Sequence, residues 1–325
     1  MVYYLTHYDV DTFPFLIKYL KDKGYEAEYL HTPTNSNEYV NDFRGALHAV
    51  NTAKAGDTII TYLCSAGVLC WWISMLKHKK IKVISSNLTL KDDQSMRTRL
   101  MRFLYRKAVK SKRYIQLINS RSYEKLIQKV LYTSRPLPLL RDYNQYPGYA
   151  REFNDNGKRI FCGGNTHRDW DRCLHIAKLL PQWKFLFVGF TPKEGKSIPK
   201  NVKTFSHLPF PYFMQGMRES TFVLNIAKYN CPAGLIVLMQ SAWEGRVIAM
   251  NENDVTKEYI TDERGIIAKT DEEIAQKIEL AYSDQEGMKR KVHNMQDFLT
   301  KECSAENYCE SMLRAIEAAQ SSAQQ

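Results

Sequence analysis

Two stretches in the second half of the sequence gather glycines, cations and helix starts in the pattern that phosphate binding needs. In Ile160-Phe-Cys-Gly-Gly-Asn-Thr-His-Arg-Asp-Trp-Asp171 an apolar strand ends on Gly163 and Gly164, a polar loop through Asn165 follows, and a helix is expected to begin near Asp169. Glycines let the backbone come close to a ligand, and a helix start offers unbonded N–H groups to an anion. Arg168 adds a fixed charge and a planar fork of donors suited to phosphate oxygens. The same string also reads as a glycine turn beside an exposed arginine, and the local residues leave both readings open.

The second stretch is Asn225-Ile-Ala-Lys-Tyr-Asn-Cys-Pro-Ala-Gly-Leu-Ile-Val-Leu-Met-Gln-Ser-Ala-Trp-Glu-Gly-Arg-Val-Ile-Ala249. It reads as a buried strand, a Pro-Ala-Gly turn, a helix, a glycine and a further strand. The helix start at Ala233, Gly234 and Leu235 is a second expected anion site on the same edge. Lys228 adds a cation to the loop before it. Gln240, about two turns into the helix, is expected to reach a ribose hydroxyl.

In the first half, His7 and Asp9 follow the first expected strand, where a Rossmann-like sheet presents its ligands. His7 is a candidate for contact with a sugar or an acceptor hydroxyl. Ser65, before a helix, is a further candidate for acceptor contact. Each also reads as an ordinary hydrogen-bonded structural residue. No Asp-x-Asp metal motif stands in a plausible place, Asp9-Val-Asp11 being the candidate considered, and no bound metal is expected. The seven cysteines have no CxxC and no metal-ligand spacing, which suits reduced thiols in a cytoplasmic protein. The string Gly189-Phe-Thr-Pro-Lys-Glu-Gly-Lys-Ser197 imitates a phosphate loop, but it has one residue too many between its glycines, and Ile-Pro follows where a helix is needed.

The elements that must position these residues alternate. Strands are expected at 2–5, 26–30, 58–63, 82–85 and 114–118, with helices at 13–23, 38–53, 68–76, 95–110 and 122–130. Residues 134–157 dissolve into Pro, Gly and Asn-rich linker chemistry. Strands then recur at 159–162, 184–189, 202–205, 222–226 and 246–250, with helices at 169–180, 212–219, 234–243, 271–283, 287–301 and 305–319. Strand–helix alternation predicts parallel sheets in α/β layers. The 325 residues suit two such domains, expected at 1–150 and 151–302, followed by a C-terminal helix and a disordered tail at 303–325.

Residues 1–150 hold 23 Lys+Arg against 12 Asp+Glu, whereas the remainder is balanced at 23 of each. A positive field confined to one domain implies an anionic surface opposite it. Its densest part runs from Arg97 to Arg113. Arg99, Arg102, Arg106 and Lys110 fall at helical spacing, with Leu100, Phe103, Leu104 and Ala108 as an apolar flank and Ser95 as the cap. The expected partner is the anionic face of a membrane; a core helix with a solvated basic side is the plainer alternative. No recognition motif or stacking aromatics accompany the helix, so nucleic acid is not an expected partner. Nothing at the amino end reads as a signal peptide, and the longest apolar run, around 68–76, is far short of the ~20 residues that span a bilayer.

The segments Phe161-Cys-Gly-Gly-Asn-Thr-His-Arg-Asp-Trp, Ala-Gly-Leu…Gln-Ser-Ala…Glu-Gly-Arg-Val-Ile-Ala and Asp254-Val-Thr-Lys-Glu-Tyr-Ile260 together resemble the C-terminal domain of GT-B glycosyltransferases. The likeness is greatest to the retaining family-four (glycosyltransferase group 1) enzymes and covers residues 158 to about 300. It implies two Rossmann-like domains facing across a cleft, with a final helix returning to the N-terminal domain. The implied reaction is sugar transfer from a nucleoside-diphosphate sugar, with UDP as the favoured carrier, to a lipid-linked or oligosaccharide acceptor. Retention of configuration, independence of metal and the absence of a further cofactor are implied with it, as is a role in polysaccharide biosynthesis at the inner membrane face. The sequence departs from the family where two glutamates seven residues apart are usual: Gln240 holds the second position and Pro232 lies near the first. Gly164 stands where an arginine is common, leaving Arg168 and Lys228 to meet the diphosphate. Asn87, after the strand Lys82–Ser85, is a further candidate by its resemblance to enzymes that often carry a cleft histidine there. An inverting transferase using His7 or Asp9 as base, and a sugar-nucleotide epimerase of the same fold, are the alternatives.

Overall fold

The computed structural model describes residues 1–6, 14–32, 38–88, 95–143, 150–164, 166–192, 194–195 and 197–321. The chain divides into two compact units, Met1–Tyr143 with Ala305–Gln325, and Asn144–Ser304.

In the first unit the strands β1 (Val2–Thr6), β2 (Ala27–His31), β3 (Thr58–Thr61), β4 (Lys82–Ser85) and β5 (Tyr114–Gln116) pair in the order β2-β1-β3-β4-β5. Every pairing among them is parallel. The connecting helices are α1 (Pro14–Asp22), α2 (Glu38–Thr52), α3 (Cys64–Leu76), α4 (Met96–Ala108) and α5 (Arg121–Leu131). Strands β1, β3 and β5 are buried along their whole length, as a parallel sheet covered on both faces requires.

The second unit begins its sheet with β6 (Arg159–Gly163), α6 (Trp170–Leu179), β7 (Lys184–Val188), β8 (Val202–Phe205) and α7 (Phe210–Arg218). It continues through β9 (Phe222–Asn225), α8 (Leu235–Trp243), β10 (Val247–Asn251), α9 (Thr256–Tyr259) and β11 (Ile266–Ala268), and ends in α10 (Asp271–Tyr282) and α11 (Gln285–Glu302). The strand order is β11-β10-β9-β6-β7-β8, all parallel. The direction of winding reverses between β6 and β9, and in such sheets the loops leaving the carboxyl ends of those two strands line the ligand site.

The last helix, α12 (Ala305–Ser321), belongs to the first unit. Tyr308, Cys309, Met312, Ala315, Ile316 and Ala319 form its apolar stripe and enter the core built on Val2, Tyr4 and Ile60. This is the expected return of the C-terminal helix. Two elements were not expected. The strand β11 is only three residues long, and α9 is a single turn inside the Asp254–Ile260 segment, absent from the helices expected by periodicity.

The Glu244-Gly-Arg246 run, part of the resemblance, is structural. Glu244 takes a forked pair of bonds from Arg218 (2.7 and 3.0 Å) and an ion pair from Arg151 (2.9 Å). Arg246, 3% exposed, donates to the carbonyls of Glu244, Asn154 and Ser220. These bonds sit at the amino end of β10, opposite the ligand edge, and tie residues 151–154 to α7 and α8.

Candidate functional site

The loops after β6 and β9 are joined by a short ladder. Arg168 bridges Ala227 in antiparallel register, Asp169 N–H donates to Ile226 O (2.9 Å), and Lys228 N–H donates to His167 O (2.8 Å). His167 sits at φ +52 and packs edge-on against Tyr229, with ring centroids 5.3 Å apart. The ladder fixes the backbone of Arg168 at the winding reversal.

Arg168 is only 6% exposed. Its Nη2 donates to Gly163 O at 2.7 Å, while Nε and Nη1 are buried without a protein partner. A buried guanidinium with idle donors is costly unless an anion completes it. Gly164 adopts φ +97, and a Cβ there would stand 3.1 Å from Arg168 Nη2 and 3.5 Å from Val237 Cγ2. The absence of a side chain at Gly164 therefore lets the guanidinium pack close to the first turn of α8.

That first turn is uncapped by any side chain. Gly234 is its N-cap at φ +84, and a Cβ there would lie 2.3 Å from Asn225 Nδ2. Asn225 Nδ2 in turn donates to Gly234 O (2.8 Å) and holds the turn in place. The first N–H groups of an α-helix have no intrahelical acceptor, so the start of α8 carries donors and the positive end of its dipole.

The start of α6, also expected as an anion site, already carries a negative charge. Asp169 caps it, its carboxylate accepting from Arg172 N–H (3.2 Å). A charged cap satisfies the same donors that a phosphate would seek. The anion-binding capacity of the β6 loop thus rests on Arg168 rather than on the helix behind it.

The structure brings together Gly163, Gly164, Arg168, Lys228, Ala233, Gly234 and Leu235 at these two loops. Leu235 is 2% exposed and Ala233 5%, so any part they take in binding falls to their backbone rather than to their side chains. The exposed Lys228 places its ammonium 5.8 Å from the Tyr229 ring centroid. Gln240 is 5% exposed, deeper along α8. His7, Asp9 and Asn165 lie outside the described residues. Asn87 stands after β4 in the first unit, half-buried at φ +52. Ser65 Oγ donates to the Asp42 carboxylate, which accounts for its hydroxyl.

Two residues that sequence reasoning missed complete the site. Asn225 was passed over as the end of a strand. Asn251, at the carboxyl end of β10, accepts from Ala227 N–H (2.7 Å) and donates to Ala227 O (3.1 Å). Among the described residues no group of three or more His, Cys, Asp or Glu is placed to hold a metal ion. Two cavities of about 560 and 550 Å³ lie on the β7–β8 side and contain none of the candidate residues.

No family profile matches the sequence, and no curated protein matches it either. Solved structures do. HepE of Anabaena, crystallised with UDP and glucose, superposes with a TM-score of 0.66 at 11% identity, over 98% of this chain and 99% of that one. Sucrose-phosphate synthase of Thermosynechococcus elongatus gives 0.69 at 12% identity, over 97% and 98%. A glycosyltransferase of Rickettsia africae gives 0.67 at 10% identity, over 98% of each. With two parallel α/β units and a final helix packed on the first, this chain has the GT-B fold of those proteins.

Proposed function

We propose that the protein is a glycosyltransferase that takes its sugar from a nucleoside-diphosphate carrier, UDP being favoured, and passes it to a lipid-linked glycan at the cytoplasmic face of a membrane. The observation that carries this reading is the buried Arg168, with two donor nitrogens idle, set across Gly164 from the uncapped start of α8. Together they offer a compact, pre-set cradle for a diphosphate. The fold likeness to proteins crystallised with UDP and UDP-glucose supports the same assignment.

In the reaction the bond between the sugar's anomeric carbon and the β-phosphate oxygen breaks, and its electron pair leaves with the diphosphate. Arg168 and the α8 amides stabilise that growing negative charge, which is the largest contribution such sites usually make. The acceptor hydroxyl bonds to the anomeric carbon on the face just vacated, and its proton passes to the departing phosphate oxygen. Configuration is retained, and in this scheme neither metal nor further cofactor takes part. Lys228, exposed on the loop after β9, is assigned to the same diphosphate.

A thermal-shift screen of UDP-, GDP-, ADP- and dTDP-sugars tests the reading. One carrier should raise the melting temperature of the wild type and leave Arg168→Ala unmoved. Equal shifts in both proteins would remove the diphosphate from this site. The anomeric configuration of the product decides retention, and an altered free sugar nucleotide formed from donor alone would mark an epimerase.

A further inference from the structure

On the first unit, α4 presents an exposed stripe unlike the surface around it. Met96, Leu100 and Phe103 are 87%, 58% and 49% exposed, and they recur at the spacing of a single helix face. Lys107 falls on the same stripe, 6.0 Å from the Phe103 ring centroid, and the exposed Arg99 and Lys110 flank it. The opposite face is core: Thr98, Tyr105 and Ala108 are buried, and Trp72 Nε1 of α3 donates to Leu104 O (3.3 Å). So α4 is anchored by its back while its apolar side chains stand in solvent.

The expected basic face is corrected by the contacts. Arg106 turns inward, donating to Val130 O (3.1 and 3.0 Å) and stacking on Tyr132. Arg113 donates to Lys79 O, and Lys79 to three carbonyls of residues 50–53. Ala108 belongs to the core, not to the flank. What remains outward is a mixture of bulky apolar groups and cations. Arg113 Nη2, 2.6 Å from Met75 Sδ, brings the exposed end of α3, including Leu76 at 75%, beside the end of α4.

Scattered exposed apolar residues are normal, but a stripe of three on one helix is not. From 94 to 123 the chain holds nine Lys+Arg and no Asp or Glu. The occupant must therefore be anionic and must also accept aliphatic side chains. A nucleic acid meets only the first demand; the headgroup region of an acidic bilayer meets both.

We propose that α4 is the docking surface for an anionic lipid bilayer, with Met96, Leu100 and Phe103 inserted among the headgroups and Arg99, Lys107 and Lys110 on their phosphates. Lys107 lays its methylene stem along the stripe and lifts its ammonium to the phosphate level. This specifies the membrane partner in the proposed transfer reaction, and its test needs no donor sugar, so either idea can fail alone.

The test is co-sedimentation of the full chain with vesicles of phosphatidylcholine, or of phosphatidylcholine with phosphatidylglycerol, at low and high salt. The wild type should bind the acidic vesicles and leave the neutral ones. Leu100→Ser/Phe103→Ser should lose about tenfold or more of that binding at both salts. Arg99→Gln/Lys107→Gln/Lys110→Gln should lose about as much at low salt and lose its salt sensitivity. All the altered side chains are exposed, and unchanged melting temperatures would show that both variants fold. Wild-type protein that ignores acidic vesicles, a serine variant that binds like the wild type, or retention on duplex DNA without vesicle binding would each overturn the proposal.

Discussion

Asn251 holds Ala227 by both of its backbone polar groups, accepting from the N–H at 2.7 Å and donating to the carbonyl at 3.1 Å. A side-chain amide has the donor and acceptor of a peptide unit, so it stands in for a strand neighbour where β9 has already ended. Ala227 is the residue bridged to Arg168. The last side chain of β10 thereby sets the position of a guanidinium on a different loop.

Asn251→Leu should therefore weaken the site without touching a ligand. Two buried backbone groups lose their partner, and the expected loss of stability is about 2 kcal/mol or more. Chemical denaturation would read this, and calorimetry with the donor found by thermal shift should show weaker binding. Asn251→Asp keeps the acceptor but sets a buried carboxylate oxygen against the Ala227 carbonyl, so its deficit should be at least as large. Full donor affinity in the leucine variant would refute the positioning role.

Arg168→Ala should lower affinity for the nucleotide-sugar about 30-fold or more, the usual consequence of removing one side of a buried charged contact. Arg168→Lys should recover only part of it, because an ammonium cannot fork between two phosphate oxygens. If lysine restored wild-type affinity, point charge alone would suffice, and the idle Nε and Nη1 would have no specific role.

Gly234→Ala meets two obstacles. The residue sits at φ +84, and its new Cβ would press on the Asn225 amide. Such a change is expected to cost about 1–3 kcal/mol and to displace the start of α8. The melting temperature should fall, and donor binding should fall with it. A variant as stable as the wild type would mean that the turn has another conformation.

Burial raises the carboxyl of Asp142 from its ordinary 3.8 to about 7, against the opposing bond from Asn119. The folded chain therefore keeps a proton that the unfolded chain gives up. That contribution is fully present below about pH 4 and is lost as pH climbs toward 7. Asp142→Asn removes the dependence. Relative to wild type, the variant should gain about 1 kcal/mol or more at pH 8 compared with pH 5, measured by urea midpoints. A pH-independent difference between the two proteins would show that Asp142 titrates normally.

Most of the strand and helix order was legible because each element has its own period and its own breaker. Lys82–Ser85 and Val202–Phe205 match their expected bounds, and Gly234 marks the start of α8 as glycine chemistry suggests. Gly163, Gly164 and Arg168 were legible as a strand end followed by a basic loop, while the local string left a phosphate site and a plain glycine turn equally open. What could not be read depends on contacts between distant segments. Asp169 reads as the beginning of a helix with open donors, whereas its own carboxylate occupies one of them, the Arg172 N–H. Arg106 has the spacing of a surface residue, yet Val130 O and the Tyr132 ring, brought in by α5, draw it inward. Asn251 carries no local signal, because its role exists only once β9 and β10 lie side by side. The strand β11 is too short to show a period.

The return of α12 has a consequence for how the polypeptide is made. The first unit needs Tyr308, Met312 and Ile316 to close its core, yet these residues are synthesised after the whole of the second unit. During translation Met1–Tyr143 must wait, with part of its apolar interior unfilled, while Asn144–Ser304 emerges and has all its strands at hand. Domains generally fold as units when their residues become available. The later-made half is then the earlier to mature, and a ribosome stalled before α12 would leave the amino-terminal half as a client for chaperones.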